Sequence, residues 1–478
     1  MIKMTRMKRT KIVATMGPAS SPKEVLQSMI EEGVNVVRMN FSHGSHADHL
    51  AVIKTVRQID EEIGTHTAIL ADLQGPKLRV DEVTDNGIEL VSGKEIIIGT
   101  KKVLGTAERI STNYKHFATD VQPGESVKLD DGKLHLRVIS TNKKDEVVCI
   151  IEHGGILSSK KGINLPNTKI SLPCLTEKDL IDLEFALDHN VDWVGLSFVR
   201  SARDIIELKH IIKSREKHAM VIAKIEKPEA IDEIDDIVKE TDAIMVARGD
   251  LGVEVPMQNV PIIQKDLIQR CIEAAKPVIV ATQMMESMIT DITPTRAEVN
   301  DVANAVLDGA DAVMLSGETS VGAHPVEVIK AMAKIIEEVE RHDKIYYHET
   351  IPAESDEDRY LSDSICYNAC RLAKRVEASA IITMTFSGYT GFKVSSQRPR
   401  ATTYCFTGNR KILTLMSLVW GVKAFYYDKM VSTDHTIADI KYILKKQGYI
   451  KEGDFIINIA SIPIAEQGMT NMLKLSKA

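Results

Sequence analysis

Lys224 and Glu226 stand two residues apart at the end of the apolar run AMVIAKIE, and Arg248, Gly249 and Asp250 close the next such run, DAIMVARGD. Alternate residues of an extended strand share a face, so the lysine and the glutamate reach into the same space. If the two runs are neighbouring parallel strands, their carboxyl ends form the edge at which α/β folds bind ligands. Two carboxylates with room for further oxygen ligands suit Mg2+ or Mn2+, and a lysine beside them suits a phosphoryl group in transfer. The plainer reading is a salt-bridged strand rim with no chemistry, since short motifs carry false positives.

The elements that must position these ends are legible as a beat of strand and helix. KIVATMG, Lys11 to Gly17, is a β-rich run; Ser21, Pro22 and Glu24 then supply an N-cap, a first-turn proline and a capping-box acid for a helix through Glu32 that stops at Gly33. NVVRMNFSHG and a helix around Asp48 to Ile63 repeat the unit, and TAILADLQG, ending near Gly75, begins another. From Pro76 to about Ile170 the beat stops. Short β-like runs, turns at Asp85-Asn86-Gly87 and Asp130-Asp131-Gly132, and almost no helical periodicity predict a separate all-β domain inserted there.

After Pro173 the beat resumes. Helix TEKDLIDLEFALDHN, strand VDWVGLSFV and a helix over 202–216 lead to the two charged strands, which are joined by one helically spaced, acidic stretch from Pro228 to Lys239. A helix over 258–275, strand PVIVATQ, a helix over 295–307, strand DAVMLSGE and a helix from Pro325 follow. Eight strands alternating with helices predict a (β/α)8 TIM barrel with chemistry on its carboxyl-end loops; a doubly wound sheet is the alternative. The acidic stretch Pro352 to Asp358 reads as a linker to a smaller C-terminal α/β domain, with a helix over 360–375 and strands ASAIITMTFSG, ATTYCFTGN, KAFYYD and DFIINIASI. The expected division is 1–75 with 171–345 for the catalytic barrel, 76–170 for a β lid, and 346–478 for a C-terminal regulatory or oligomerisation domain.

Composition allows this scale of core: the chain has 478 residues, 44% of them hydrophobic. A net charge of -7 with both signs mixed along the chain argues against nucleic-acid binding as the main business. The basic start, MIKMTRMKRTKIVATMG, lacks the apolar core of a signal peptide, and no uncharged apolar span is long enough for a membrane; a cytoplasmic location is expected. Cysteines 149, 174, 271, 366, 370 and 405 form no ligand cluster and are expected as buried thiols.

Taken together, RTKIVATMGP, VVRMNFSHG, ADLQGPKLR, SKKGINLP, AKIEKPEA, VARGDLG, ATQMMESM and MLSGET resemble pyruvate kinase across nearly the whole chain. The resemblance implies phosphoryl transfer from phosphoenolpyruvate to ADP, giving pyruvate and ATP as the last step of glycolysis, in a homotetramer. It implies that Glu226 and Asp250 bind Mg2+ or Mn2+, and that Lys224 neutralises the phosphoryl oxygens in flight. Arg38 would clamp the phosphoryl group, which a planar guanidinium can do with two hydrogen bonds. Backbone N–H groups of Gly249 and Asp250 would hold the substrate carboxylate, while Thr282 would close that pocket and help deliver a proton to the enolate carbon. Asn40, His43, Arg79 and Lys161 match nucleotide positions; Ser316 and Glu318 match as supporting groups.

One departure bears on cofactors. Many family members carry Thr-Lys after the aspartate matching Asp72 and a glutamate where Lys77 stands, and they hold K+ with groups matching Asn40, Ser42, Asp72 and the Leu73 carbonyl. Here an ammonium occupies the glutamate position, so K+ is expected not to be required. The loop Thr385-Phe386-Ser387-Gly388-Tyr389-Thr390 could hold a phosphorylated effector, yet it lacks the Lys or Arg of members activated by fructose 1,6-bisphosphate. That bisphosphate is therefore not expected as the main activator. A barrel lyase acting on pyruvate-type enolates would need the same carboxylate pair but not Arg79 or Lys161; a silent effector-binding scaffold would need none of these charges.

Overall fold

In a computed structural model, residues 8–352, 359–429, 432–463 and 469–478 are described. Most of the stretch read as a linker, and the first seven residues of the basic start, lie outside them. The first layer is built from β1 (Lys11–Thr15), β2 (Val36–Asn40), β3 (Ala68–Asp72), β4 (Trp193–Leu196), β5 (Met220–Ile225), β6 (Ala243–Ala247), β7 (Val278–Ala281) and β8 (Ala312–Leu315). Each pairs in parallel with its predecessor, and β8 returns to β1 through Lys11↔Ala312 to Ala14↔Leu315. That last pairing closes the barrel and excludes the doubly wound sheet.

Strands buried on both faces explain the near-continuous apolar runs. One face of each packs on the outer helices through Ile12, Val37, Val194, Ala223 and Val246, while the other fills the interior with Val13, Leu70, Trp193, Met245 and Met314. The charged site residues stand at the carboxyl ends of these strands or just past them: Arg38, Asp72 and Lys224 within β2, β3 and β5, and Glu226 and Asp250 beyond β5 and β6.

The insert between β3 and β4 is β-rich, as expected. A six-stranded sheet runs Ile163–Asn164, Ser126–Leu129, Leu134–Thr141, Glu146–His153, Glu95–Gly99, Arg109–Ser111, and Gly155–Leu157 pairs with Ile88–Leu90. Its two predicted turns form with Asp85, Asn86, Asp130 and Asp131 at positive φ, a conformation that Asn and Asp tolerate better than most residues. A C-terminal sheet follows, ordered Val422–Tyr426, Thr402–Thr407, Ala380–Met384, Phe455–Ala460, Met472–Lys477.

Local expectations differ in four places. The helix expected to be capped by Ser21 starts at Lys23 with no side-chain cap, because the Ser21 hydroxyl donates to the Gly17 carbonyl instead. The Pro228 to Lys239 helix is two helices, Pro228–Asp232 and Ile234–Glu240, with Glu233 at the break. In the C-terminal domain a fifth, antiparallel strand, Met472–Lys477, and the helix Thr433–Lys446 are additional. The six cysteines are all buried and unpaired with one another, as expected.

Candidate active site

The carboxyl end of the barrel gathers the charges that the sequence placed at strand ends. Arg38 on β2 donates from Nε to Asp72 Oδ2 at 2.7 Å and from a terminal nitrogen to Thr15 Oγ1 on β1 at 2.8 Å. Asp72 Oδ1 lies 3.1 Å from Lys224 Nζ, and Lys224 Nζ lies 3.0 Å from Glu226 Oε1. The result is a buried row of alternating sign, Arg38, Asp72, Lys224, Glu226, carried across β2, β3 and β5. Gly195 of β4 makes room for it: a Cβ there would come within 3.0 Å of Asp72 Oδ1.

These neighbours set the ionisation. Burial would raise the Asp72 carboxyl, but the opposing pull of Lys224 and Arg38 holds it below its ordinary value. Burial likewise works against the Lys224 ammonium, and Asp72 and Glu226 outweigh it, so the lysine stays charged. Glu226 is pushed up, by burial first and then by the nearby Asp250, against the pull of Lys224. Counting formal charges, Arg38, Lys224 and Lys77 balance Asp72, Glu226 and Asp250; the balanced site has no surplus for a phosphorylated carboxylic acid unless a cation joins it.

Asp250 sits in the short helix Arg248–Glu254 that follows β6. Its Oδ1 is 3.3 Å from Lys77 Nζ at the start of the lid, so the lysine found in place of a glutamate faces the site. Among the described residues no group of three or more His, Cys, Asp or Glu side chains could hold a metal ion. A pair of carboxylates is nevertheless what an ion needs when substrate and water supply its other ligands. A second sign of fit is that burial and then the charge of Asp250 raise Glu226, and a divalent cation between the two acids would offset both.

Thr282 follows β7 at φ 68, with Gln283 at φ 54, an uncommon conformation for a β-branched residue. Its Oγ1 accepts from the Gly249 N–H at 2.7 Å and donates to the Ala281 carbonyl at 2.6 Å. One of the two N–H groups expected for a substrate carboxylate is thus already engaged by Thr282. Arg248 fastens the turn by donating to the carbonyl oxygens of Ala281, Thr282 and Gln283 and pairing with Asp301 at 2.7 Å. Glu318 supports the next loop, accepting from the N–H groups of Met285 and Ser316.

The proposed nucleotide residues divide between barrel and lid. Asn40 accepts from the Ser42 N–H, and His43 is exposed beside them. Partial loss of hydration lowers its imidazole below the ordinary value, and the charges of Arg79, Arg38 and Lys77 add to this. Arg79 donates to the Lys160 carbonyl, and Lys161 pairs with Asp130 at 2.8 Å. Leu73 keeps its carbonyl occupied by the Ser197 hydroxyl at 2.7 Å. Ser197 itself was not singled out from sequence, yet it accepts from Lys224 Nζ at 2.6 Å. The signal for Ser197, as for Thr15, is a hydroxyl at the carboxyl end of a barrel strand.

In the C-terminal domain Thr385 Oγ1 accepts from the Gly388 N–H and Ser387 Oγ from that of Tyr389, while Thr390 is buried with its hydroxyl unpartnered. This loop lies in a separate sheet and joins none of the groups above.

Comparison with known proteins identifies the family. The family model for the pyruvate kinase barrel domain matches residues 7–329, and that for the pyruvate kinase alpha/beta domain matches 363–476. A pyruvate kinase of Corynebacterium glutamicum is 44% identical over 467 residues, covering 98% of this chain and 97% of the relative. One from Geobacillus stearothermophilus is 40% identical over 473 residues, covering 98% and 80%. A crystal structure of a pyruvate kinase from Cryptosporidium parvum superposes with a TM-score of 0.90 at 33% identity, covering 98% and 96%. The chain belongs to the pyruvate kinase family, the metal-dependent phosphotransferases that convert phosphoenolpyruvate and ADP into pyruvate and ATP.

Proposed function

We propose the following division of labour for that transfer. Lys224, buried between two carboxylates and kept charged by them, faces the phosphoryl oxygens as they pass from substrate to ADP. Arg38 holds the same group from β2, its orientation fixed by Asp72 and Thr15. Such a transfer needs little covalent help, so positioned charge carries the rate. Glu226 and Asp250 would hold Mg2+ or Mn2+, which when bound supplies charge stabilisation to substrate and product oxygens. Thr282 and Gly249 close the pocket on the substrate carboxylate, and the Thr282 hydroxyl passes a proton toward the enolate carbon, with water between because an alcohol is a weak acid.

Asn40, His43, Arg79 and Lys161 serve the nucleotide. Arg79 and Lys161 ride on the insert, so its closure would deliver cations to ADP and exclude water. We further infer that K+ is dispensable: Asp72 is committed to Arg38 and Lys224, the Leu73 carbonyl to Ser197, and Lys77 already brings an ammonium to Asp250. The domain limits are 1–75 with 171–345, 76–170 and 346–478. The protein works as a cytoplasmic homotetramer, and fructose 1,6-bisphosphate is not its main activator, since the 385–390 loop carries no Lys or Arg for it and the Thr385 and Ser387 hydroxyls accept from their own backbone.

The row Arg38, Asp72, Lys224, Glu226 carries this reading. It is tested by ADP-dependent pyruvate release from phosphoenolpyruvate in a coupled assay, with Glu226→Gln and Asp250→Asn as partners. Full turnover by either variant without added divalent ion would sink the metal assignment.

A further inference from the structure

Behind the metal carboxylates lies a second buried ion pair that no step of the transfer uses. Lys227 follows Glu226 directly; its Nζ is 2.8 Å from Glu254 Oε1, and neither side chain is more than 6% exposed. Glu254 is the last residue of the Arg248–Glu254 helix, whose first turn carries Gly249 and Asp250. The same Oε1 accepts from Asn164 Nδ2, in the lid, at 2.8 Å. Next to it the Val253 carbonyl accepts from Lys128 Nζ, also in the lid, at 2.5 Å. Glu254 follows Asp250 by four residues of the same helix, about 6 Å along its axis, so a displacement imposed at Glu254 is felt at Asp250.

A small cleft between lid and barrel, lined by Lys77, Leu78, Ile163, Asn164, Lys227 and Glu254 among others, adjoins this pair. Glu254 Oε1 takes both donors, Lys227 Nζ and Asn164 Nδ2, so one oxygen joins barrel and lid.

We propose that Glu254 is a positioning residue for the phosphoryl transfer. Its pair with Lys227 holds Asp250 against Glu226, and its bond with Asn164 transmits the position of the lid to that carboxylate pair. The inference rests on the metal assignment above. It places in one side chain the coupling between lid closure and affinity for the divalent ion.

The experiment uses Mn2+ and the full chain. Free Mn2+ is read by electron paramagnetic resonance, and amide hydrogen exchange is followed over residues 160–166 of the lid. In the native chain Mn2+ should slow that exchange; no slowing would overturn the proposal. Glu254→Gln keeps an acceptor oxygen and removes only the charge, so it should weaken Mn2+ binding about tenfold or more and abolish the slowing. Asn164→Ala should bind Mn2+ nearly as the native chain does, yet also lose the slowing. A Glu254→Gln variant of native melting temperature and native Mn2+ affinity overturns the positioning role. Slowing that persists in Asn164→Ala overturns the lid link, even if Glu254→Gln fails to fold. Asp250→Asn separates the two readings: native Mn2+ affinity in that variant fails the metal assignment and this inference together. Binding lost in Asp250→Asn but intact in Glu254→Gln fails this inference alone.

Discussion

Lys224 faces two carboxylates and a hydroxyl in a pocket where water contributes little screening, so its charge is both well held and effective. Replacing it with methionine keeps the stem and removes the ammonium. We expect kcat to fall by about a hundred- to a thousandfold, by analogy with removal of one preorganised donor, with a smaller change in KM. Steady-state kinetics on protein checked by circular dichroism decides this; an unchanged kcat with a raised KM would assign Lys224 to ground-state binding instead. Folding should also weaken, since Asp72 and Glu226 would be left buried with less compensation, at a cost of about 3–5 kcal/mol for a broken buried pair. Lys77 makes a separate case. Lys77→Glu restores the acid common at this position, and near Asp250 it exchanges an attraction for a repulsion. Turnover of this variant in tetramethylammonium buffer should drop and be partly restored by KCl at matched ionic strength, whereas the native chain should ignore KCl. A large rise in native kcat on adding K+ would refute the idea, as would full activity of Lys77→Glu without it.

At the level of elements, the strained turn after β7 is where backbone and function meet. Thr282 at φ 68 is held there by its own hydroxyl, bonded to Gly249 and Ala281, and by Arg248 gripping three carbonyl oxygens of the turn. Thr282→Ser should keep most of the activity, since it retains the hydroxyl, while Thr282→Ala should lose it. Thr282→Gly should be as inactive as Thr282→Ala but melt higher, because glycine adopts positive φ without the cost of about 1 kcal/mol or more that a side chain incurs. Matched kinetics and thermal melts of the three variants check this; an active Thr282→Ala would leave the residue a purely structural role. The same turn marks a limit of sequence reading. Apolar runs alternating with helical segments identified all eight barrel strands, and a strand buried on both faces leaves chemistry only its end. Arg38, Lys224, Glu226 and Asp250 were legible for that reason. Ser197 and Thr15 were not, because their value depends on which strands become neighbours: Asp72 faces Gly195 across β3 and β4, and Thr15 faces Arg38 across β1 and β2. Ser21 failed as a cap through competition with a local carbonyl, and Met472–Lys477 was missed because an edge strand, half exposed, lacks a buried run.

Across the whole molecule, the amino end of the barrel strands is sealed by the C-terminal domain. The barrel interior continues without a break into Cys405, Leu415, Met416 and Leu418 of that domain. Around this apolar plug runs a ring of buried polar contacts. Arg398 forks onto Asp311 at 3.0 and 3.1 Å and donates to the Gly309 carbonyl; Glu340 accepts from the backbone N–H groups of Arg9 and Thr10. Lys11, the first residue of β1, crosses the seam by donating from Nζ to the Val422 carbonyl at 2.9 Å. Burial pushes its ammonium down from the ordinary 10.5 to about 8, against the pull of Glu340. The consequence for stability has a definite sign. Between about pH 8 and 10.5 the unfolded chain binds a proton that the folded chain has released, so this group's contribution rises with pH. It is complete above the unfolded value and is lost as pH falls toward the native one. Lys11→Met abolishes the titration while filling much of the same space. The difference in melting temperature between the native chain and Lys11→Met should therefore shift in favour of the native chain as pH is raised from about 8 to about 10, the window set by the two values. Groups that Lys11 does not influence titrate alike in both proteins and cancel in that difference, while Lys8, which Lys11 also pushes down, adds to it in the same direction. A difference that stays constant across the window would mean that Lys11 is as well solvated in the folded protein as in the unfolded one, and that the seam between barrel and C-terminal domain admits water.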